Sequence, residues 1–388
     1  MKEICLALAR FRENKKEAIS KNLINLAEGL TIKGYPVATY TPTKFKTLHP
    51  IRQYYCRKNT IYSSLPEGFK NLYQICRAIN KKQNLYSVIN FHIATPIELL
   101  ILFMLLNRRT REKTKVSIWQ SYLSFLELKD NYRYFSKNFT KYVHIILLNS
   151  FVTAIFYRLF LSKFSKTIVH STYLCDKLMD LAVPDIAFVQ NGVIPEETII
   201  PERKMRQKFV FLYIGHAKVS KGIEYLIKLI AILHQRDNLN FHLVISFSGF
   251  GDEQYIKRLI DDYRIESRVL FKPEINVIQE MADADMCLLP LPTCIGTSLS
   301  PNVIVEALSI GLPIAVPRYP ELNGLIQFGF NAIELKLYDL EYSAERIELA
   351  AKDGDFLETI KKNQRKQFKQ CLSLEKFIDG YIRELRSA

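Results

Sequence analysis

The sequence has no cysteine pair at CxxC spacing and no Cys/His set spaced for zinc. Its seven cysteines, Cys5, Cys56, Cys76, Cys175, Cys287, Cys294 and Cys371, are scattered and odd in number. This excludes a zinc ribbon or a disulfide framework and fits reduced thiols in a cytosolic compartment. Long apolar runs are missing too. ATPIELLILFMLL (94–106) is short and holds Glu98, and VHIILLNSFVTAIFYRLFL (143–161) holds His144, Asn149 and Arg158. A span needs about 20 mainly apolar residues, so both read as buried helices. The opening MKEICLALARFRENKK turns to charge too soon for a secretory signal. There is no internal repeat and no low-complexity tract, and an apolar content of 48% excludes disorder.

Acidic residues are scarce in the first half. Up to residue 195 there are 29 Lys and Arg against 12 Asp and Glu, a net charge of +17, whereas the remainder carries −2. Such asymmetry points to an anionic partner for the first half, a membrane surface or a nucleic acid, or else to a solvated basic surface. No RNA- or DNA-binding motif is present, and only interleaved stretches such as NYRYFSKNFTKY (131–142) favour nucleic acid.

At 388 residues the chain fits two domains. Both halves alternate short β-type runs with helical patterns, as parallel sheets built from βα units do. Strands are expected at 3–9, 36–40, 86–91, 115–119, 166–170 and 186–190, and in the second half at 209–214, 241–247, 268–271, 286–290 and 313–316. The expected fold is α/β, two Rossmann-like, doubly wound parallel-sheet domains facing a cleft. Residues 1–195 form the basic domain, 196–208 a linker rich in charge and proline, and 209–373 the second domain. The helix at 374–388 is expected to pack back on the first.

In open parallel sheets ligands lie at the carboxyl ends of strands, so the loops there carry the chemistry. GHAKVSKG (215–222) places Ser220 as a helix cap with Lys221 and Gly222 opening the helix. Free backbone N–H groups, the helix dipole and an ammonium could converge there on a phosphate, although such a helix start is also ordinary capping. SFSGFGDEQ (246–254) offers a tight turn through Gly249 and Gly251 but lacks the full dinucleotide fingerprint. The turn from Lys272 to Ile275 could present backbone groups to a base. GTSLSPNVIVEALSIGLPIAVP (296–317) leads from small polar residues into a short apolar helix carrying one acid, Glu306. The helix start suits a phosphate, and the acid needs a separate role unless it is merely an exposed helix residue.

Taken together and in order, these four segments resemble the donor domain of retaining glycosyltransferases with the GT-B fold, the family 4 type also called glycosyl transferases group 1. The matching residues are Gly215 with Lys221 and Gly222, Gly249 with Gly251, Ala284-Asp285 with Pro290, and Glu306-Ala307 with Gly311, Pro313 and Ile314. VINFHIATP (88–96) resembles the family strand ending in an active-site histidine, here His92. FVQNGVIPEE (188–197) resembles its Asn-Gly-Val before the interdomain linker. A histidine at a strand end is otherwise a core or capping residue.

The resemblance implies transfer of a sugar from a nucleotide-diphosphate sugar, UDP- or GDP-linked, with retention and without a metal or other cofactor. It assigns catalytic roles to His92, Lys221 and Glu306, with Glu306 accepting hydrogen bonds from the ribose. Donor contacts fall on Gly215, His216, Lys221, Gly249, Glu274, Ile275, Ser298, Pro301, Asn302, Val303 and Glu306, and acceptor contacts on Arg10, Arg12 and Gln120. The sequence departs from the family in Ser298, where a second Glu is usual, and in His216, where Arg is usual. Lys218 could compensate for the latter. Arg10-Phe11-Arg12 replaces a glycine pair after the first strand. The implied partners are the donor and a lipid-linked or glycan acceptor in cell-surface polysaccharide or glycolipid synthesis. A cytoplasmic protein in peripheral contact with an anionic membrane is expected, without nucleic acid. A non-catalytic sugar-nucleotide-binding scaffold and a transferase with a soluble acceptor are the alternatives.

Overall fold

The computed structural model describes residues 2–9, 18–55, 65–120, 151–193, 208–217, 221–272, 277–292 and 301–387. The chain divides into two compact units. One takes in Met1–Asn191 and Leu374–Ala388, and the other Gly192–Thr293 and Asn302–Ser373.

The first unit is built on a parallel sheet of seven strands: β1 (Glu3–Leu8), β2 (Val37–Thr41), β3 (Arg52–Tyr55), β4 (Tyr86–Ile93), β5 (Thr114–Ile118), β6 (Lys166–Val169) and β7 (Ile186–Phe188). Their order across the sheet is β3-β2-β1-β4-β5-β6-β7. Interior strands of such a sheet are covered on both faces, which is why β1, β2 and β5 are buried along nearly their whole length. One face carries α1 (Ala18–Ile32) and, from the far end of the chain, α13 (Leu374–Arg386). Phe377, Ile378, Tyr381 and Leu385 of α13 bury among Leu23, Ala27 and Leu30 of α1. The other face carries α2 (Leu65–Lys82), α3 (Pro96–Leu105), α5 (Phe151–Leu161) and α6 (Thr172–Asp180), with the short α4 (Arg108–Glu112) following α3.

The second unit has six parallel strands, β8 (Phe209–Ala217), β9 (Phe241–Gly251), β10 (Val269–Lys272), β11 (Met286–Leu288), β12 (Ile314–Pro317) and β13 (Ile333–Leu335), in the order β10-β9-β8-β11-β12-β13. Its helices are α7 (Ile223–Arg236), α8 (Glu253–Asp262), α9 (Val277–Ala282), α10 (Asn302–Ile310), α11 (Leu340–Lys352) and α12 (Gly354–Gln367). The 3, 4, 7 spacing in α7 puts Ile223, Leu226, Ile227, Ile230 and Leu233 into the core, as the sequence pattern requires.

Every expected strand is present. Two others, β3 and β13, were not foreseen, and both are edge strands. RQYY has no apolar alternation because Arg52 is exposed and pairs with Glu3 at 2.8 Å, and β13 is only three residues long. The expectation that 94–106 and 143–161 are buried helices holds only in part: α3 buries Pro96, Glu98, Leu99 and Leu102. Of the second, only 151–161 is described; in α3 and α5, Met104 (62% exposed), Ile155 (40%) and Leu159 (52%) face outward. Among the described residues no helix is long and apolar enough to cross a membrane. The five described cysteines, Cys5, Cys76, Cys175, Cys287 and Cys371, are free thiols.

Candidate active site

In each sheet the strand order reverses once, and the crevice at that point is where an open α/β sheet binds ligands. In the second unit the reversal lies between β8 and β11, which pair through Phe211 and Leu212. The loop after β8 leads into α7, and the chain after β11 leads to α10. Both helices therefore begin at the carboxyl end of the sheet beside the same crevice.

Gly222 fixes how close these segments come. It is the cap of α7, with φ +76°, and a Cβ there would stand 1.6 Å from the carbonyl oxygen of Pro290. Only glycine accepts both the left-handed backbone and that approach. The helix thus begins at Ile223, two residues later than expected, and Gly222 rather than Ser220 is the cap. Because a glycine cap has no side chain, the first N–H groups of α7 are not capped by it, unlike those of α3. There the carboxylate of Glu98 accepts from the N–H of Ala94 at 2.7 Å and of Thr95 at 3.1 Å, so α3 already holds an anion of its own.

Gly215 and His216 lie in β8 and Gly249 in β9. The pairing runs from Gly215 with Phe247 to Ala217 with Gly251, so β9 spends four steps against two of β8 and Gly249 sits in the resulting bulge. The buried Tyr213 hydroxyl donates to the His216 carbonyl at 2.9 Å and holds the strand end in place. Pro301 precedes α10 and has no N–H to give, which leaves those of Asn302 and Val303 at the helix start. Glu306 is only 7% exposed, so it is not an exposed helix acid. A carboxylate is costly to bury, and one kept on an otherwise apolar helix calls for polar partners. The helix stops at Gly311, φ +72°, where Leu312 N–H donates to Ala307 O at 2.9 Å and Gly311 N–H to Leu308 O at 3.4 Å. Arg365 Nε adds a bond to Ile310 O at 3.1 Å. Glycine at 311 thus ends α10 and turns the chain into β12.

In the first unit the reversal lies between β1 and β4. His92 stands near the end of β4, opposite Leu8 of β1 and Ser117 of β5. Its Nδ1 accepts the indole N–H of Trp119 at 2.8 Å, and the two rings are stacked. Trp119 in turn stacks on His170, with ring centroids 3.7 Å apart. His170 Nδ1 faces the Val189 carbonyl at 2.8 Å and so carries its proton there; Nε2 lies 3.1 Å from the Tyr381 hydroxyl, which donates to Ser117 Oγ at 3.0 Å. Burial holds both histidines neutral, with pKa values pushed down to about 3; for His92 the charge of His170 adds to the effect. With Nδ1 accepting, the proton of His92 sits on Nε2, and that atom has no hydrogen-bond partner among the described residues. His92 is therefore a donor at Nε2 and not a base. The Trp119 and Tyr381 contacts were not read from the sequence; the only available signal was that Trp119 and His170 end neighbouring strands.

Gln120 is half-buried and follows Trp119 at the carboxyl end of β5. Arg10, Arg12, Lys218, Glu274, Ile275 and Ser298 lie outside the described residues. Among the described residues no group of three or more His, Cys, Asp or Glu is placed to hold a metal ion.

Two parallel sheets, each with a single reversal of strand order, are the units of a GT-B protein, and solved structures of that fold match nearly the whole chain. Sucrose-phosphate synthase from Thermosynechococcus elongatus is 16% identical with a TM-score of 0.75, covering 99% of this chain and 98% of its own. HepE from Anabaena, in complex with UDP-glucose, is 18% identical with a TM-score of 0.69, covering 99% and 100%. WaaG, a glycosyltransferase involved in lipopolysaccharide biosynthesis, is 14% identical with a TM-score of 0.67, covering 99% and 100%. At these identities the likeness shows the fold. Residues 196–367 match the family described as glycosyl transferases group 1. No curated protein matches the sequence significantly.

Proposed function

We propose that the chain is a retaining, metal-independent glycosyltransferase that moves a sugar from a UDP- or GDP-linked donor to an acceptor hydroxyl in cell-surface polysaccharide or glycolipid synthesis. The observation that carries this reading is the start of α7 at the β8/β11 crevice. Its cap is a glycine pressed on the Pro290 carbonyl, with no side chain to cap the first turn, within a stretch matching glycosyl transferases group 1. UDP-glucose in HepE supports the donor class.

In this reading the leaving diphosphate meets the α7 and α10 amides, Lys221 and His216, groups set before reaction where negative charge develops. Glu306 accepts from the ribose hydroxyls, and a carboxylate suits a vicinal diol because both oxygens accept. His92 donates from Nε2 to the transferred sugar, and the leaving phosphate, not His92, takes the acceptor proton. Gly215, Gly249, Glu274, Ile275 and Ser298 complete the donor side, while Arg10, Arg12 and Gln120 serve the acceptor.

The test is release of UDP or GDP from a panel of sugar nucleotides. Wild type should release one of them, and Lys221→Ala and Glu306→Ala should not; wild-type rates in both variants sink the assignment. Ser298, in place of the usual acid, is the feature that favours a binding scaffold, and donor binding without any turnover would support that reading instead.

A further inference from the structure

The helices α2, α3 and α5 pack side by side on one face of the first sheet. What they turn outward is unusual for a protein surface. On α2 the exposed positions are Lys70, Tyr73, Arg77 and Lys81, all within one stripe of the helix. On α3 Met104 is exposed and Ile97 and Leu100 on the same side are half-buried, and Arg108 and Arg109 stand exposed at the start of α4. On α5 the outer stripe is Ile155, Arg158 and Leu159, followed by Lys163.

The exposed large apolar residues here, Tyr73 (50%), Met104 (62%), Ile155 (40%) and Leu159 (52%), are bordered by cations on both sides. Among the residues of these elements whose burial is described, exposed acids are few: Glu112 already pairs with Arg108 at 2.9 Å, and Asp176 and Asp180 belong to α6 at the edge of the layer. Cations around protruding apolar side chains, on helices lying flat across a sheet, form the pattern of a protein that rests on an anionic interface. An acidic protein partner would be met by the charges but gives no reason for Met104, Ile155 and Leu159 to stand exposed among them.

We propose that the α2–α3–α5 face docks on an anionic lipid bilayer, with Met104, Ile155 and Leu159 entering the headgroup region and the surrounding lysines and arginines pairing with lipid phosphates. The face deepens the proposed function by giving it a membrane on which a lipid-linked acceptor would be met, and it rests on that reading only for this purpose. The docking itself depends on no residue of the donor crevice.

The test uses the full chain and sedimentation with vesicles of phosphatidylcholine, alone or with phosphatidylglycerol. Retention is expected only with the anionic lipid and should fade as salt is raised. The triple variant Arg77→Glu, Lys81→Glu, Arg158→Glu should lose about a hundredfold in affinity, since each basic residue near such a surface counts for roughly fivefold. Met104→Asp with Leu159→Asp should lower retention and leave the salt dependence. A charge-matched control on α13, on the opposite face of the sheet, changes Lys376, Arg383 and Arg386 to Glu and should bind as wild type.

No retention by anionic vesicles overturns the proposal. So does equal loss in the control, which would mean that net charge alone is read, and so does concentration-dependent dimerisation that the Met104→Asp, Leu159→Asp variant abolishes without any vesicle binding. Nucleotide-induced thermal shifts measured on the same variants keep this result separate from the donor reading. A variant that leaves vesicles but still responds to nucleotide tests the face alone.

Discussion

Lowering the pH should unfold the first unit through two histidines. His92 (2% exposed) and His170 (1%) are buried and neutral, with pKa values pushed down from 6.5 to about 3 by desolvation. A group whose folded pKa lies below its unfolded one takes up its proton first in the unfolded chain. Its contribution is therefore intact above pH 6.5 and lost as pH falls toward 3. Each histidine removes about 1.4 kcal/mol per pH unit in that window, so the pair should remove about 4 kcal/mol between pH 7.5 and 5. That is a large part of a typical domain stability of about 5–15 kcal/mol.

The window above pH 5 separates this effect from carboxylates. For Glu384 burial opposes ionisation, but hydrogen bonds from Arg383 and Lys166 prevail and hold it below its usual 4.5. Its contribution is present above 4.5 and goes only as pH falls below that. Trp119 is the one tryptophan in the chain and stacks on His170, so its fluorescence reports unfolding at the right place. Urea unfolding followed at pH 7.5, 6.5, 5.5 and 5.0 gives the slope. In His170→Gln, which keeps a donor for Val189 O, the slope should fall to about half. Stability that stays level between pH 7.5 and 5 would refute the neutral, buried assignment of both rings.

Other expectations follow from single contacts. Trp119→Phe removes the donor to His92 Nδ1 and should cost about 1–3 kcal/mol, the penalty of a buried acceptor left unpaired; denaturation followed by circular dichroism checks it, and wild-type stability would contradict it. Gly222→Ala forces a Cβ onto the Pro290 carbonyl at φ +76° and should lower the melting point of the second unit and remove its response to nucleotides; an unchanged response would show that the loop can move without consequence. Lys115 donates to the carbonyls of Glu384 at 2.7 Å and Ser387 at 2.5 Å at the end of α13. Ser387 Oγ also donates to the Glu384 carbonyl, at 2.9 Å. Lys115→Met should remove the lysine donor from both carbonyls, cost about 1–3 kcal/mol and speed proteolysis near the C-terminus, which limited digestion would reveal.

Strand positions were legible because buried parallel strands are written as continuous apolar runs, as in FVFLYI and FHLVISF. The edge strands β3 and β13 were not, because an edge needs no such run, although the other two edges, β7 and β10, do show in the sequence. Gly311 entered the sequence reading only as a residue of the family segment, and the structure adds that it closes α10. The cap of α7 was misread by two residues because Ser220 fits the composition of a cap, whereas the contact that decides the matter is with Pro290, far along the chain. His92 shows the same limit. Its place at a strand end is local information, but its tautomer depends on Trp119, on the adjacent strand. The exposure of Met104 on α3 was invisible for a different reason: a helix apolar all round reads as buried, and sequence does not say which side has no neighbour.

The central claim is that the crevice between β8 and β11 binds a nucleotide-diphosphate sugar. Isothermal titration of wild type and Glu306→Ala with UDP, GDP and their sugars tests it most directly. The account predicts that one nucleotide series binds wild type and that its affinity falls by a factor of ten or more, about 1.4 kcal/mol, in Glu306→Ala. Equal affinity in the two proteins, or no binding by any nucleotide, would contradict it.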